Sequence, residues 1–560
     1  MIKKISIFII IILSLPTFYY LTRPGYFSMH DDLQIMRIYE LERCFNDGQV
    51  PCRWSPDMTF GYGQAMFNFY SVLPYYFGFF IKSIFAISIV DTVKILFLLS
   101  LVIGSIGMFL LSSEFWGVLI GILSSIFYAY APYRALNVYV RGALAESFAL
   151  AFYPFVWYSL YKLIEKKQFK WMALSSIFLA FLFMTHNIST MIFFSFSVLW
   201  IIFWIIKFRK VSALQDLFLS GVLGLGMASF FLVPAFFERS LIKDDLFTRD
   251  YFEFHAHFVS LRQLFWDREW GFGPSIFGDR DDLSFQVGMV HAASLFLGGT
   301  VFIIRFLFLK KHDYKDYLFA VLGASSVIAL FMAHSRSTSL WFLIPILSYV
   351  QFPWRFIGIC VFLISLSAGY LFQRLGVFRY FFIFLVGVAL VFFNYSYFKP
   401  EHLFYSETDE TKLSGELFDI QRKAAPLDYL PVTVDRAPEE LAPEKPFFES
   451  GFGDIRNFVY RTNYFFFDAE VYEKGRILVP IIYFPRWVIL VNDNLYEFEI
   501  QKDNGLIALN LEKGKYIVRG RFENTPIRDF ANGLSIISFT VLFFLYIAYI
   551  NKNKVLWYKD

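Results

Sequence analysis

The chain has 560 residues, 57% of them hydrophobic and 18% charged, with 74 phenylalanines and 34 tyrosines. That composition excludes a soluble globular domain and describes a polytopic α-helical membrane protein with wide aromatic belts. A net charge of +4, spread over short clusters, excludes a nucleic-acid footprint, and three cysteines are too few for a disulfide scaffold or a zinc knuckle.

Lys3 and Lys4 precede an apolar run from Ile5 to about Leu21 without a small-residue cleavage site. It reads as a retained anchor whose far end faces outward. Immediately beyond it stand His30, Asp31 and Asp32, then Arg37, Arg53-Trp54-Ser55-Pro56 and Gly61-Tyr62-Gly63. Carboxylates at the mouth of a membrane helix are costly unless paired or hydrated, so their presence marks a site. Asp31 and Asp32 suit a general base or ligands to a hard divalent cation. The plainer reading is an N-cap with first-turn charge on a helix over 32–47. Arg37 and Arg53 suit a phosphate clamp or half of a buried pair, while Gly61-Tyr62-Gly63 followed by Phe67, Phe69 and Tyr70 suits a turn plus an aromatic platform on which a sugar ring stacks. The glycines at 61 and 63 lack the Gly-Lys-Ser/Thr ending of a nucleotide loop. Cys44 and Cys52 suit either a pair, in an oxidising compartment, or two free thiols.

Residues 66–90 are apolar enough to cross, but a crossing there would invert every later loop. With Pro74 near the start, the segment reads as a juxtamembrane or re-entrant helix. Spanning runs follow near 92–112, 115–131, 144–161, 171–187, 189–206, 213–235, 291–309, 317–333, 355–373, 378–396 and 533–550. With the first they make about twelve. The basic clusters Lys162–Lys170, Lys207–Lys210, Arg305–Lys315, Arg374–Arg379 and Lys552–Lys554 then fall on one side, which places both termini in the cytoplasm.

The same parity puts the polar constellations on the outer side: Asp31-Asp32, Arg134 to Glu146, Thr185-His186-Asn187, the 237–290 loop, His334 to Arg355, and 399–530. A pump or channel scatters ionisable groups through the bilayer, whereas a single polar face suits an enzyme at the outer surface. Arg134, Arg141, Arg239, Arg336 and Arg355 suit phosphate clamps or halves of buried pairs; Glu146 stands close enough to neutralise Arg141, and headgroup snorkelling accounts equally well for any one of Arg336 and Arg355. His186 suits a substrate hydrogen bond or a capped helix end. His255, His257 and His291 lack the partners of a zinc site. Residues 399–530 read as an extracytoplasmic β-sandwich, with strands near 476–483, 487–491, 497–501 and 516–522 and turns at Asn492-Asp493-Asn494 and Asn504-Gly505. The expected domains are thus a membrane module over 1–398 with outer loops 23–90 and 237–290, the β-rich domain over 399–530, and a last helix with cytoplasmic tail over 531–560.

His30-Asp31-Asp32, Arg53-Trp54-Ser55-Pro56, Gly61-Tyr62-Gly63, Phe69-Tyr70, Pro74-Tyr75-Tyr76, Arg141-Gly142-Ala143 with Glu146, Thr185-His186-Asn187 and Phe352-Pro353-Trp354-Arg355 resemble the 6-pyruvoyl-tetrahydropterin synthase-related membrane proteins of the C-type glycosyltransferase superfamily. The resemblance covers roughly residues 1–400, and the outer C-terminal part is similar to that of YfhO-like membrane proteins. It implies an enzyme that takes a sugar from a polyprenyl-phosphate donor in the bilayer and passes it to a glycan, lipid or protein acceptor at the outer face. Asp31 or Asp32 would be catalytic. His30, Arg37, Arg53, Trp54, Tyr62, Tyr70, Arg141, Glu146, His186, Arg336 and Arg355 would bind substrate, with the arginines on the donor phosphate. No cofactor is required by the motifs, though the carboxylates leave room for magnesium or manganese. The alternative is a non-catalytic envelope protein, either a lipid-glycan transporter or a glycan-binding scaffold.

Overall fold

The computed structural model describes residues 2–278 and 281–557. Among them, eight helices are long and apolar enough to cross a membrane: Ile2–Thr22, Ile89–Trp116, Asn187–Phe208, Met289–Phe308, Tyr314–Ala333, Pro353–Gln373, Gly376–Tyr397 and Pro526–Asn551. A ninth crossing is available if Ala213–Met227 and Ser229–Phe237, bent by 77° at their junction, act as one span. The expected count of twelve is not reached. Each of the other runs is helical, but Val118–Ala129 and Phe169–Thr185 are short, and Leu144–Lys166, long enough at 23 residues, is not among the helices apolar enough to be counted. At 1.5 Å per residue the first of these reaches only about 18 Å, against a hydrocarbon core of about 30 Å. The 66–90 segment resolves into Met66–Phe69 and Leu73–Phe85, and the latter is a 13-residue helix too short to cross.

The helix beginning at Phe356 is the axis of the bundle, buried at every position to Ser367. Ile89–Trp116 packs on Leu144–Lys166 and on Val118–Ala129. Gly117 alone separates Ile89–Trp116 from Val118–Ala129 in sequence, at a φ of 90° that a side chain would strain. Charges mark one end of the bundle. Lys3 and Lys162 meet Glu114, Lys167 meets Asp216, Arg305 meets Asp316 and Arg374 meets Asp313. Phe169 meets Tyr549 of the last helix at this same end.

A short ladder joins β1 (Tyr26–Phe27) to β2 (Leu403–Phe404), tying the first outer loop to the chain leaving the bundle. The C-terminal region then forms one antiparallel sheet of seven strands: β3 (Phe447–Arg461), β4 (Tyr464–Ile482), β5 (Trp487–Val491), β6 (Asn494–Leu495), β7 (Glu499–Ile500), β8 (Leu506–Leu511) and β9 (Gly514–Phe522). Their order is β6-β5-β9-β4-β8-β7, with β3 also on β4. The long β4 serves two half-sheets, its first part pairing β9 and its second part β8. Register shifts along β3, together with Gly451 against the backbone of Gly475, mark where the strands bend. Phe465, Phe467, Ile489 and Val518 from one half and Ile477, Val479, Ile507 and Leu509 from the other share one core. The sheet thus folds over itself as a sandwich. Both expected turns are present, with Asn492, Asp493 and Gly505 at positive φ.

Candidate functional site

After β1, the stretch from Ser28 to Leu33 is irregular and leads into the helix Gln34–Asn46. Backbone hydrogen bonds from His30 N to Val140 O (2.9 Å) and Asp31 N to Arg141 O (3.0 Å) hold it against the 136–143 segment. Gly142 makes this approach possible. It adopts a φ of 64°, and a Cβ there would collide with Met29 at 2.5 Å. Gln34 closes the junction by donating to Gly142 O at 2.9 Å and to Asp31 Oδ2 at 2.9 Å.

Asp31 is held from one side only. Its Oδ2 also accepts from Arg37 Nη1 at 2.8 Å, while Oδ1 has no hydrogen-bond partner among the described residues, and the side chain is 32% exposed. Arg37 is buried, with its guanidinium 4.2 Å from the Tyr70 ring centroid. Burial alone would lower its pKa, but Asp31, Tyr70 and Tyr75 hold it well above the usual value. Tyr75 donates to Gln34 Oε1 at 2.7 Å and so orients the amide that holds Asp31.

Asp32 points elsewhere. Its Oδ2 accepts from Lys412 Nζ at 2.8 Å, and Lys412 also meets Glu407 at 3.0 Å. Burial raises the pKa of the Asp32 carboxyl, and Lys412 opposes that rise. The carboxylates therefore sit in separate ion pairs, and among the described residues no three His, Cys, Asp or Glu side chains gather as a metal site.

Behind Asp31 stands a second charged group. Arg141 Nη1 is 2.8 Å from Glu146 Oε2, Arg355 Nε is 3.8 Å from the same oxygen, and Tyr133 donates to Oε1. Arg141 lies 4.5 Å from the Trp354 ring centroid, and Arg355 is tied to Val350 O (2.7 Å) and Gln351 Oε1 (2.9 Å). Glu146 is nearly fully buried, so one carboxylate balances two guanidinia and the group keeps a net positive charge. His186 lies near this group; it caps the helix Asn187–Phe208 through Ser189, with Nδ1 2.6 Å from Ser189 Oγ. His30, exposed at the rim, places Nε2 2.7 Å from Phe272 O of the large outer loop.

The other expected residues lie apart from this centre. Arg53 is buried and binds Asn68 Oδ1, Phe230 O and Asn532 Oδ1 at 2.8–3.1 Å, tying the first outer loop to two membrane helices. Trp54 is fully buried within the β-domain core, against Trp487 and Phe522, and donates to Tyr460 at 2.8 Å. Tyr62 packs with Leu430, Leu478 and Ile482. Arg336 is exposed on the turn Ser335–Ser337, and no side-chain ion pair holds it among the described residues. His255, His257 and His291 are dispersed, bonded respectively to Glu253, to Ser275 with Tyr251 O, and to Phe127 O. Cys44 and Cys52 form a disulfide and Cys360 is a buried free thiol.

Several participants were not singled out in the sequence. Gln34 stands three positions after Asp31 and Arg37 three further, a helical spacing that could have linked them. Lys412 and Asp428 come from the segment after the bundle and carry no local signal. Asp428 is half-buried near Arg37 and Asp31, and burial pushes its pKa up to about 6.

The fold and charge pattern are those of a multi-pass membrane protein with an appended β domain. Residues 67–273 match the family model described as 6-pyruvoyl-tetrahydropterin synthase related domain, membrane protein, the family to which the motifs pointed. An uncharacterized protein of Lactococcus lactis subsp. cremoris is 24% identical over 206 residues, 35% of this chain and 34% of its own length. Among solved structures, the arabinofuranosyltransferase AftD from Mycobacteria aligns with a TM-score of 0.44 at 14% identity, over 72% of this chain and 28% of that one. The archaeal oligosaccharyltransferase AglB from Archaeoglobus fulgidus aligns with a TM-score of 0.39 at 11% identity, over 71% of this chain and 55% of that one. The chain thus spans about a third of the curated relative it matches and about half or less of these two structures.

Proposed function

We propose that the chain is an integral membrane glycosyltransferase that moves a sugar from a polyprenyl-phosphate donor to an acceptor hydroxyl at the outer face of the membrane. The observation that carries this reading is the arrangement of Asp31, with Oδ2 fastened by Arg37 and Gln34, Oδ1 without a hydrogen-bond partner among the described residues, and its backbone N–H bonded to the carbonyl of Arg141 in the Arg141–Glu146–Arg355 group. A base must be held without being used up, and an anionic leaving group needs fixed positive charge where it develops.

In this mechanism Asp31 Oδ1 takes the proton of the acceptor hydroxyl as its oxygen bonds to the anomeric carbon. The bond from that carbon to the phosphate oxygen breaks, and the electron pair leaves with the phosphate. Arg141 and Arg355, only half compensated by Glu146, stabilise that charge. The lysines and arginines at the opposite end of the bundle support a cytoplasmic placement of that end by the positive-inside rule, which is the orientation this reading requires. No step is routed through a divalent ion. Arg37 engages Oδ2 of Asp31 and Lys412 engages Oδ2 of Asp32, each by an ion pair.

The test offers purified protein in nanodiscs a panel of radiolabelled polyprenyl-phosphate sugars and, in parallel, water-soluble nucleotide sugars. Transfer from a lipid-phosphate donor alone is expected. Donor binding without turnover would favour a scaffold or transporter, and turnover of a nucleotide sugar would overturn the donor class.

A further inference from the structure

At the β3–β4 turn, the outward face of the β domain holds a cleft of about 410 Å³. Side chains alternate along β4. Phe465 and Phe467 enter the core, and Tyr464 and Phe466 lie on the opposite face, half-buried along the cleft. The strand pairings put arginines beside both rings. Tyr464 is paired with Arg461 of β3 and Arg521 of β9, and Phe466 with Arg519 of β9; Arg461 and Arg519 line the cleft, and Arg521 adjoins it through its pairing with Tyr464. Arg461 and Arg521 are exposed and form no ion pair or side-chain hydrogen bond among the described residues, whereas Arg519 is paired with Asp493. Asp47, the carboxylate on the cleft wall, is engaged: its Oδ2 accepts from Thr462 N at 2.8 Å and Thr462 Oγ1 at 3.0 Å. Asn463 adds a neutral hydrogen-bonding side chain.

Flat aromatic faces bordered by unpaired guanidinia match a sugar ring bearing an anion. The ring stacks, and the guanidinium fork grips a carboxylate or phosphate. A bilayer is the poorer match, since both rings are half-buried and the cleft they line also carries Asp47 and Asn463.

We propose that this cleft is a binding site for an anionic glycan, held on Tyr464 and Phe466 by stacking and on Arg461 and Arg521 by its carboxylate or phosphate groups. It is separate from the Asp31 centre, and its occupancy does not depend on transferase turnover.

The experiment uses the full chain in phosphatidylcholine nanodiscs, titrated calorimetrically with oligogalacturonate (carboxylate), phosphomannan (phosphate) and neutral dextran, alongside phosphatidylglycerol vesicles in a flotation assay. Binding of at least one anionic glycan is expected, weakening with salt and exceeding that of dextran. A double variant Arg461→Gln, Arg521→Gln should lose at least tenfold in affinity, as should Tyr464→Ala. Arg461→Lys, Arg521→Lys should lose less than the glutamine pair, which separates charge from folding. Dextran binding as tightly, an unchanged affinity in the glutamine variant, binding of neither anionic glycan, or capture by vesicles alone would each overturn the proposal.

Discussion

Arg141 and Arg355 share one buried carboxylate, and removing it leaves two guanidinia with nothing to offset them. Breaking a buried pair by deleting one partner costs about 3–5 kcal/mol. Glu146→Ala is therefore expected to lower the thermal midpoint in detergent by many degrees, while Glu146→Gln, which retains hydrogen bonding to Tyr133, should cost less. Equal midpoints for wild type and Glu146→Ala would mean that the two arginines are balanced by something else. Asp428 makes a pH prediction. Its folded pKa lies above the ordinary carboxylate range, so the folded state holds the proton more tightly than the unfolded chain does. That contribution is fully present below about pH 4 and is lost as pH rises to about 6. Asp428→Asn should reduce the fall in thermal midpoint between pH 4.5 and pH 7, and an unaltered fall would assign it to other groups such as Asp32 and Asp281, whose pKa values burial also raises.

The first outer loop is the element that joins the two halves of the molecule. Trp54 plugs the β-domain core, and the disulfide loop grips the β3–β4 turn through Asp47 and Gln49. Truncating a fully buried tryptophan costs about 3–5 kcal/mol. Trp54→Ala should therefore release the β domain to rapid trypsin cleavage while the bundle stays intact; unchanged cleavage kinetics would refute its role as an anchor. The pairing of Cys44 with Cys52 predicts a single reactive thiol, Cys360, in denatured unreduced protein, and all three after reduction. These roles were hard to read from the sequence because they depend on partners some 400 residues away. The motif containing Trp54 and Tyr62 signals a constrained loop, and either sugar stacking or core packing would preserve it. The strand β3 escaped notice for a local reason: most of its side chains are exposed and its register is broken by bulges, so no period-two pattern survives. Asp31 and Arg37 were legible because charge at a membrane boundary stands out in one dimension.

At the scale of the whole molecule, hydropathy is a local property, and the helices lie where the apolar runs predicted them. Their number of crossings is less legible, since Val118–Ala129 and Phe169–Thr185 pass the composition test but not the length. The positive-inside rule predicts that the charged end is cytoplasmic. With the native cysteines paired or buried, a Lys502→Cys variant should react with an impermeant maleimide on intact cells, and Lys310→Cys only after permeabilisation. The reverse pattern would put the Asp31 centre in the cytoplasm and end the outer-face reading.

The division of labour between adjacent carboxylates is the most exposed part of the account. The decisive measurement is the turnover of Asp31→Asn and Asp32→Asn, made separately and compared with wild type on the same lipid-phosphate donor. Loss of a general base is worth about 10²- to 10⁴-fold. Asp31→Asn should lose that much with the protein folded, and Asp32→Asn, whose carboxylate is engaged by Lys412, should stay within about tenfold of wild type, the scale of about 1.4 kcal/mol. Full activity in Asp31→Asn, or the larger loss in Asp32→Asn, would contradict it.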